Sequence, residues 1–238
     1  IFPVLDMPEI VPGDVLAALI AERAELVDGD VVVITQKAVS KAEGRLVTIS
    51  PDDEDEGNGA GTANAAPRRQ LVEDEACRVL RRRGDLLITE TRHGFVCANS
   101  GVDLSNVPSD QACLLPIDPD RSARRLRDGL RALAGVEVGV VVSDTFGRAW
   151  RMGVTDVAIG TAGIAAVVDL RGQPDTQGHL LVATEVCVAD QLAGAADLIM
   201  GKAQGVPAAV VRGVESAWLR ESSVAGEIVR PHREDLFR

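Results

Sequence analysis

The sequence predicts an α/β fold, and three observations carry that prediction. Apolar, β-branched runs at 31–35 and 138–142 read as buried strands. Segments at 122–134 and 188–200 repeat apolar residues at helical spacing. Polar residues follow directly on both strand runs, and strand ends are where ligands bind in α/β sheets. With 238 residues and a hydrophobic fraction of 46%, the chain can bury a real core, as one large domain or two small ones.

Composition excludes several classes. A formal charge of −11 argues against a nucleic-acid surface, which would present a basic face. No apolar run approaches the roughly 18 residues that span a bilayer, and no charged-then-apolar leader is seen. Ile1 is not an initiator, so a few residues are expected to have been trimmed. Cys77, Cys97, Cys113 and Cys187 are scattered without C-x-x-C spacing and read as reduced core thiols of a cytoplasmic protein. His93, His179 and His232 are far apart, so any metal is expected on oxygen ligands rather than on His and Cys.

In chain order, Phe2, Pro3 and Val4 begin as extended chain, and 7–10 forms a turn or loop. Asp14 is placed to cap a helix whose face is Val15, Leu16, Leu19 and Ile20. Asp28-Gly29-Asp30 turns into the strand Val31–Thr35. Gln36, Lys37, Ser40, Lys41, Glu43 and Arg45 follow it, as a ligand-binding strand end or as a solvated loop. The stretch 51–67 is acidic, then rich in Gly and Ala, and reads as a flexible surface insertion. A helix is predicted over 68–83, with Leu71, Val72, Ala76, Val79 and Leu80 inward. Strands at 86–89 and 95–98 are joined by a tight turn at His93-Gly94.

The loop 99–106 holds Asp103, either a ligand carboxylate or the cap of a turn. Asp118-Pro119-Asp120 precedes the helix 122–134, whose Arg121, Arg124, Arg125, Arg127 and Arg131 make a solvated face. The strand 138–142 then ends at Ser143, Asp144 and Thr145, Phe146-Gly147 turns the chain, and Arg148 and Arg151 follow. A carboxylate and hydroxyl beside guanidinium groups suit a hard cation and the phosphates it neutralises. The same residues suit an Asx-turn in which Asp144 bonds its own backbone. The Gly- and Ala-rich stretch 155–170 predicts close backbone packing. A strand at 180–184, a helix over Val188–Met200 and a strand over Ala208–Val211 complete the pattern. Gly201-Lys202 is no phosphate loop, since Ala203 replaces its Ser or Thr.

Ser40-Lys41-Ala42-Glu43-Gly44-Arg45, Gly101-Val102-Asp103 with Ser105-Asn106, and Ser143-Asp144-Thr145 with Gly147-Arg148 occur in that order, followed by the segment 207–213. Together they resemble the coenzyme F420:γ-glutamyl ligases, from Phe2 to about Val214, interrupted only by the acidic insertion. Actinobacterial members often carry a fused flavin-binding domain, which a chain ending at Arg238 does not include. The resemblance implies one ligase domain over 1–238, a mixed α/β architecture of β-sheets with flanking helices, and a homodimer. It implies GTP-dependent addition of L-glutamate to the deazaflavin precursor F420-0 through an acyl phosphate. It also implies Mg²⁺ or Mn²⁺ at Asp103, Asp144 and Thr145, with a monovalent cation such as K⁺ as a further candidate.

The resemblance places the nucleotide along Met7, Pro8, Glu9, Ile10, Gln36, Lys37, Lys41 and Asn106. It continues along Met200, Gly201, Lys202, Ala203, Gln204, Gly205, Val206 and Pro207. Lys41, Arg148 and Arg151 are the candidates to grip phosphate or the anionic tail of the substrate, with Lys41 and Arg148 in the catalytic role. In archaeal members the residue after the first glycine of the last loop is acidic and helps hold a second metal. Here it is Lys202, expected to neutralise phosphate in that metal's place. Two rivals stand beside this reading: a metal-dependent phosphohydrolase, and a nucleotide-binding module without turnover.

Overall fold

The strands run β1 (Phe2–Pro3), β2 (Val31–Thr35), β3 (Leu46–Thr48), β4 (Ala76–Arg83), β5 (Leu86–Thr91), β6 (Val96–Ala98), β7 (Gln111–Cys113), β8 (Gly139–Arg148), β9 (Arg151–Ala162), β10 (Val167–Asp169), β11 (Glu185–Cys187) and β12 (Ala208–Val211). The helices are α1 (Leu16–Ala21), α2 (Gln36–Ala42), α3 (Ala65–Asp74), α4 (Pro119–Ala134), α5 (Val188–Met200) and α6 (Val224–Glu227). This computed structural model describes residues 1–49 and 65–236. The insertion predicted at 51–67 lies outside the described residues up to 64, and the backbone from Ala65 already belongs to α3.

Among the described residues the largest sheet has the order β1-β12-β2-β8-β9. The two continuous apolar runs are neighbours there. β2 and β8 pair in parallel, from Val31 opposite Gly139 to Thr35 opposite Ser143. Both faces of this pair are covered, which is why the runs do not alternate. Val32, Ile34, Val140 and Val142 pack with Ile20 of α1 and Leu126 and Leu130 of α4. Val31, Val33 and Val141 pack on the other face with Val188, Leu192 and Ala196 of α5. Burying each such side chain stabilises by about 1.5–3 kcal/mol. The architecture is therefore mixed α/β, and no helix among the described residues is long and apolar enough to cross a membrane.

α4 is bounded as its sequence dictates. Asp118 accepts from the Arg121 amide at 2.9 Å, Pro119 occupies the first turn, and Gly135 closes the helix at φ 69°. It starts at Pro119, three residues before the predicted 122. The helix sits close on β9 because Gly160 has no side chain: a Cβ there would lie 2.4 Å from the Pro119 carbonyl. Close packing of the Gly- and Ala-rich stretch is thus observed.

Several expectations are corrected. The predicted helix 68–83 is the helix α3 followed by the strand β4, paired with β5. Register shifts between Ala76 and Arg78 and between Val79 and Arg81 explain the error. Each inserts an extra residue, so the half-buried Ala76 and Val79 fall three apart, as on a helix. The run 180–184 is not a strand. Leu180 and Val182 are exposed, the segment folds back on 170–173, and the strand is Glu185–Cys187, paired with β10. Phe146-Gly147 does not turn: β8 continues to Arg148 because Phe146 and Gly147 pair with Thr155 and Val154. Asp14 does not cap α1; its carboxylate accepts from the Val11 amide, and Val15 takes the cap position. Residues 36–42 form a helix rather than a loop, and Cys77 is exposed rather than in the core.

Candidate active site

β2 passes directly into α2, and at the same end of the parallel pair β8 carries Ser143, Asp144 and Thr145. A cavity of ≈ 400 Å³ opens over these two strand ends. It brings together nearly every residue singled out in the sequence. Met7, Pro8, Glu9 and Ile10 form one wall, and Gln36, Lys37 and Lys41 project from α2. Asp103 and Asn106 come from the loop after β6, and Asp144 and Thr145 from β8. Gly201, Lys202, Ala203, Gly205, Val206 and Pro207 close the rim.

Four candidates stand elsewhere. Met200 is buried against α5's core face, and Gln204 is exposed beside Gly201 and outside the lining. Arg148 and Arg151 face each other across the exposed far end of the β8–β9 hairpin, where Arg148 donates to the Met152 carbonyl at 3.2 Å. Arg148, expected in a catalytic role, does not line the cavity, because β8 carries it past the paired strand ends instead of turning back.

The turn-capping alternative is realised at Asp103 but not at Asp144, which lies within β8 where the chain does not turn. Asp103 accepts from the Ser105 amide at 2.7 Å, as a turn-capping residue does, and from the Lys37 ammonium at 2.8 Å. Burial pushes its carboxyl up, but the Lys37 hydrogen bond, the Ser105 amide and the Lys37 charge outweigh it and leave it below the ordinary range. Asp144 accepts from the adjacent Thr145 amide at 2.8 Å. Burial is the main force on it, and with the charges of Asp103 and Asp156 it overcomes the amide and Lys37, raising the carboxyl to about 7.

Sequence reasoning missed two carboxylates. Asp156 of β9 is 3% exposed and lies opposite Thr145 in the strand register. It accepts from the hydroxyls of Ser143 at 2.9 Å and Thr145 at 2.7 Å, and from Lys202 at 2.7 Å. Asp197 of α5 also bonds Lys202, at 2.6 Å. Neither position carried a local signal, since one sits inside a strand and the other on a helix. Lys41 is 7% exposed and paired with Glu9. Gln36, 1% exposed, donates to Ser40 and to the Leu114 carbonyl, and its Oε1 has no partner among the described residues.

Five carboxylates (Glu9, Asp103, Asp144, Asp156 and Asp197) therefore face three ammonium groups, Lys37, Lys41 and Lys202. That excess adds to burial, the larger cause, in raising the carboxyl of Asp144. Among the described residues no three His, Cys, Asp or Glu side chains form a ready metal cluster. Two aspartates and the Thr145 hydroxyl do offer hard oxygen donors where negative charge is in surplus, so the donor set fits a divalent cation.

The chain matches the family model described as F420-0:Gamma-glutamyl ligase over residues 4–213. It is 45% identical over 233 residues to the coenzyme F420:L-glutamate ligase of Methanopyrus kandleri, covering 95% of this chain and 92% of that protein. The enzymes of the same name from Methanothermobacter thermautotrophicus and Archaeoglobus fulgidus are 40% and 41% identical, covering 98% and 100% of this chain and 96% of each relative. A match of this extent, running through every wall of the cavity, shows that the chain belongs to the F420-0:gamma-glutamyl ligase family.

Proposed function

We propose that the protein is a GTP-dependent ligase that joins L-glutamate to F420-0 through an acyl phosphate. Its relatives bear the name coenzyme F420:L-glutamate ligase. The observation that carries the reading on this chain is the cavity's charge arrangement, with five carboxylates against three lysines. A nucleoside triphosphate is a polyanion, and such a cavity repels it unless cations accompany it. Asp103, Asp144 and Thr145 are the residues that would hold Mg²⁺ or Mn²⁺, which when bound neutralises charge on phosphate oxygens.

The chain's own residues position and neutralise. The buried Lys41 ammonium exchanges Glu9 for a phosphate oxygen, and Lys37 is held against Asp103 at the same mouth. A carboxylate oxygen of F420-0 attacks the γ-phosphorus, the bond to the β-phosphate oxygen breaks, and GDP leaves. The glutamate amine then attacks the acyl carbon, loses a proton, and displaces phosphate. Both steps gain most from holding the reactants together and from balancing charge. A homodimer belongs to the same reading and is checked by light scattering.

The decisive experiment incubates the protein with GTP, Mg²⁺, L-glutamate and F420-0, then measures the product's mass and the released GDP. A gain of one glutamyl residue is expected. Labelled oxygen placed in the carboxylate of F420-0 should appear in the phosphate. GTP cleavage indifferent to both glutamate and F420-0 would instead identify a phosphohydrolase, and binding without turnover a nucleotide-binding module.

A further inference from the structure

Lys202 sits on the rim with its side chain half exposed, yet its ammonium is fully occupied. It lies 2.7 Å from Thr145 Oγ1, 2.7 Å from Asp156 Oδ1 and 2.6 Å from Asp197 Oδ1. An ammonium has three N–H donors, and here it meets three acceptors from β8, β9 and α5. None is left over for a phosphate, contrary to the sequence expectation. The turn that delivers it is specialised. Gly201 has φ +61°, its amide closes α5 on the Asp197 carbonyl, and a Cβ there would lie 3.0 Å from the Gln204 side chain.

Asp156 is the group that most needs this cation. It is nearly out of contact with solvent, and its other partners are the neutral hydroxyls of Ser143 and Thr145. A buried carboxylate beside a second carboxylate is costly unless a positive charge is shared between them. We propose that Lys202 is a positioning residue that acts as the resident cation of the Asp156–Asp197–Thr145 corner. It orients the Thr145 hydroxyl and supplies from the chain a charge that a divalent ion would otherwise bring. Divalent binding is thereby confined to the Asp103–Asp144 side of the cavity. This rests on the metal-dependent reading above for the Asp103–Asp144 ion, but the charge balance at Lys202 stands on its own contacts.

The test counts Mn²⁺ bound per chain by electron paramagnetic resonance, in the presence of a non-hydrolysable imido analogue of GTP. Lys202→Met should bind one Mn²⁺ more than the wild type, because three hard oxygens lose their ammonium. Lys202→Gln serves the same comparison should the apolar tip disturb the loop, and melting curves check that both are folded. Lys202→Arg should keep the wild-type count, and adding Asp197→Asn to Lys202→Met should abolish the gain. Equal counts in the wild type and both neutral variants would overturn the role assigned to Lys202. A wild type that binds no Mn²⁺ would instead sink the metal reading of Asp103 and Asp144, while a gain in Lys202→Met would still support this one.

Discussion

Asp30 and Asp144 lie at opposite ends of the same parallel strand pair, and their surroundings could hardly differ more. Asp30, just before β2, is 0% exposed and fully partnered. Arg212 donates to both of its oxygens, at 2.8 and 2.9 Å, and the Val27 amide adds a third bond at 2.9 Å. Burial pushes its carboxyl up, but the Arg212 and Val27 bonds and the Arg212 charge win, leaving it lowered. For Asp144 burial is again the largest push upward, but no guanidinium among the described residues answers it. The Thr145 amide and the Lys37 charge are outweighed by burial with the charges of Asp103 and Asp156, and the carboxyl is raised to about 7. One carboxylate is buried and locked in an ion pair; the other lines the cavity with a single backbone amide as its donor among the described residues. An upward perturbation inside a cavity makes Asp144, and not Asp30, the candidate for a working group.

The sharpest way to break this comparison is Asp144→Asn. Ligation should fall by at least about 10²–10³-fold, the usual loss when one preorganised charge is removed. Stability at pH 4, where the native Asp144 still carries its proton and most resembles Asn, should stay within about 0.5 kcal/mol of wild type. A folded Asp144→Asn protein with full activity would mean that the raised carboxyl has no part in the reaction.

Asp30→Asn should do the reverse. Losing the bonds to a charged partner should lower stability by about 1–2 kcal/mol, a discounted figure because Arg212 is nearly half exposed. The turnover rate of the folded protein should not change. Urea titration and steady-state assay of the same preparation separate the two effects.

The pH dependence of stability should carry both signatures with opposite signs. Asp144 titrates at about 7 when folded, above its ordinary value near 3.9 when unfolded. Between those values the native state binds the extra proton, so its contribution to stability falls as pH rises from about 4 to 7, and the penalty is complete above 7. Asp30 is lowered, so its contribution is present above the ordinary carboxylate range and is lost as pH falls through it. Subtracting the Asp144→Asn curve from the wild type should isolate the first slope. A flat difference between pH 4 and 8 would contradict the strained environment of Asp144.

The smallest effect is expected at Arg148. Because it sits at the exposed hairpin end, Arg148→Ala should change ligation by no more than about twofold. A loss comparable to that of Asp144→Asn would show that the hairpin reaches a reacting group after all.

Local chemistry by itself determined much of this molecule. The continuous valine runs could only be buried strands, and the apolar spacing of 188–200 marked α5 to the residue. The polar residues following those strands were legible as a site because a buried strand must emerge somewhere, and its end is where polar groups can meet a ligand. Tertiary structure decided what spacing cannot encode. Asp156 gains its place only because β9 pairs with β8 in the register that sets it opposite Thr145. Asp197 gains its own because α5 packs with one edge toward the 201–207 turn, where Lys202 reaches it. The bulges of β4 imitate a helix until β5 is there to pair with it, and the hairpin beyond Thr145 exists only through its partner strand. Strand pairing and register are agreements between distant segments, and no local pattern contains both parties.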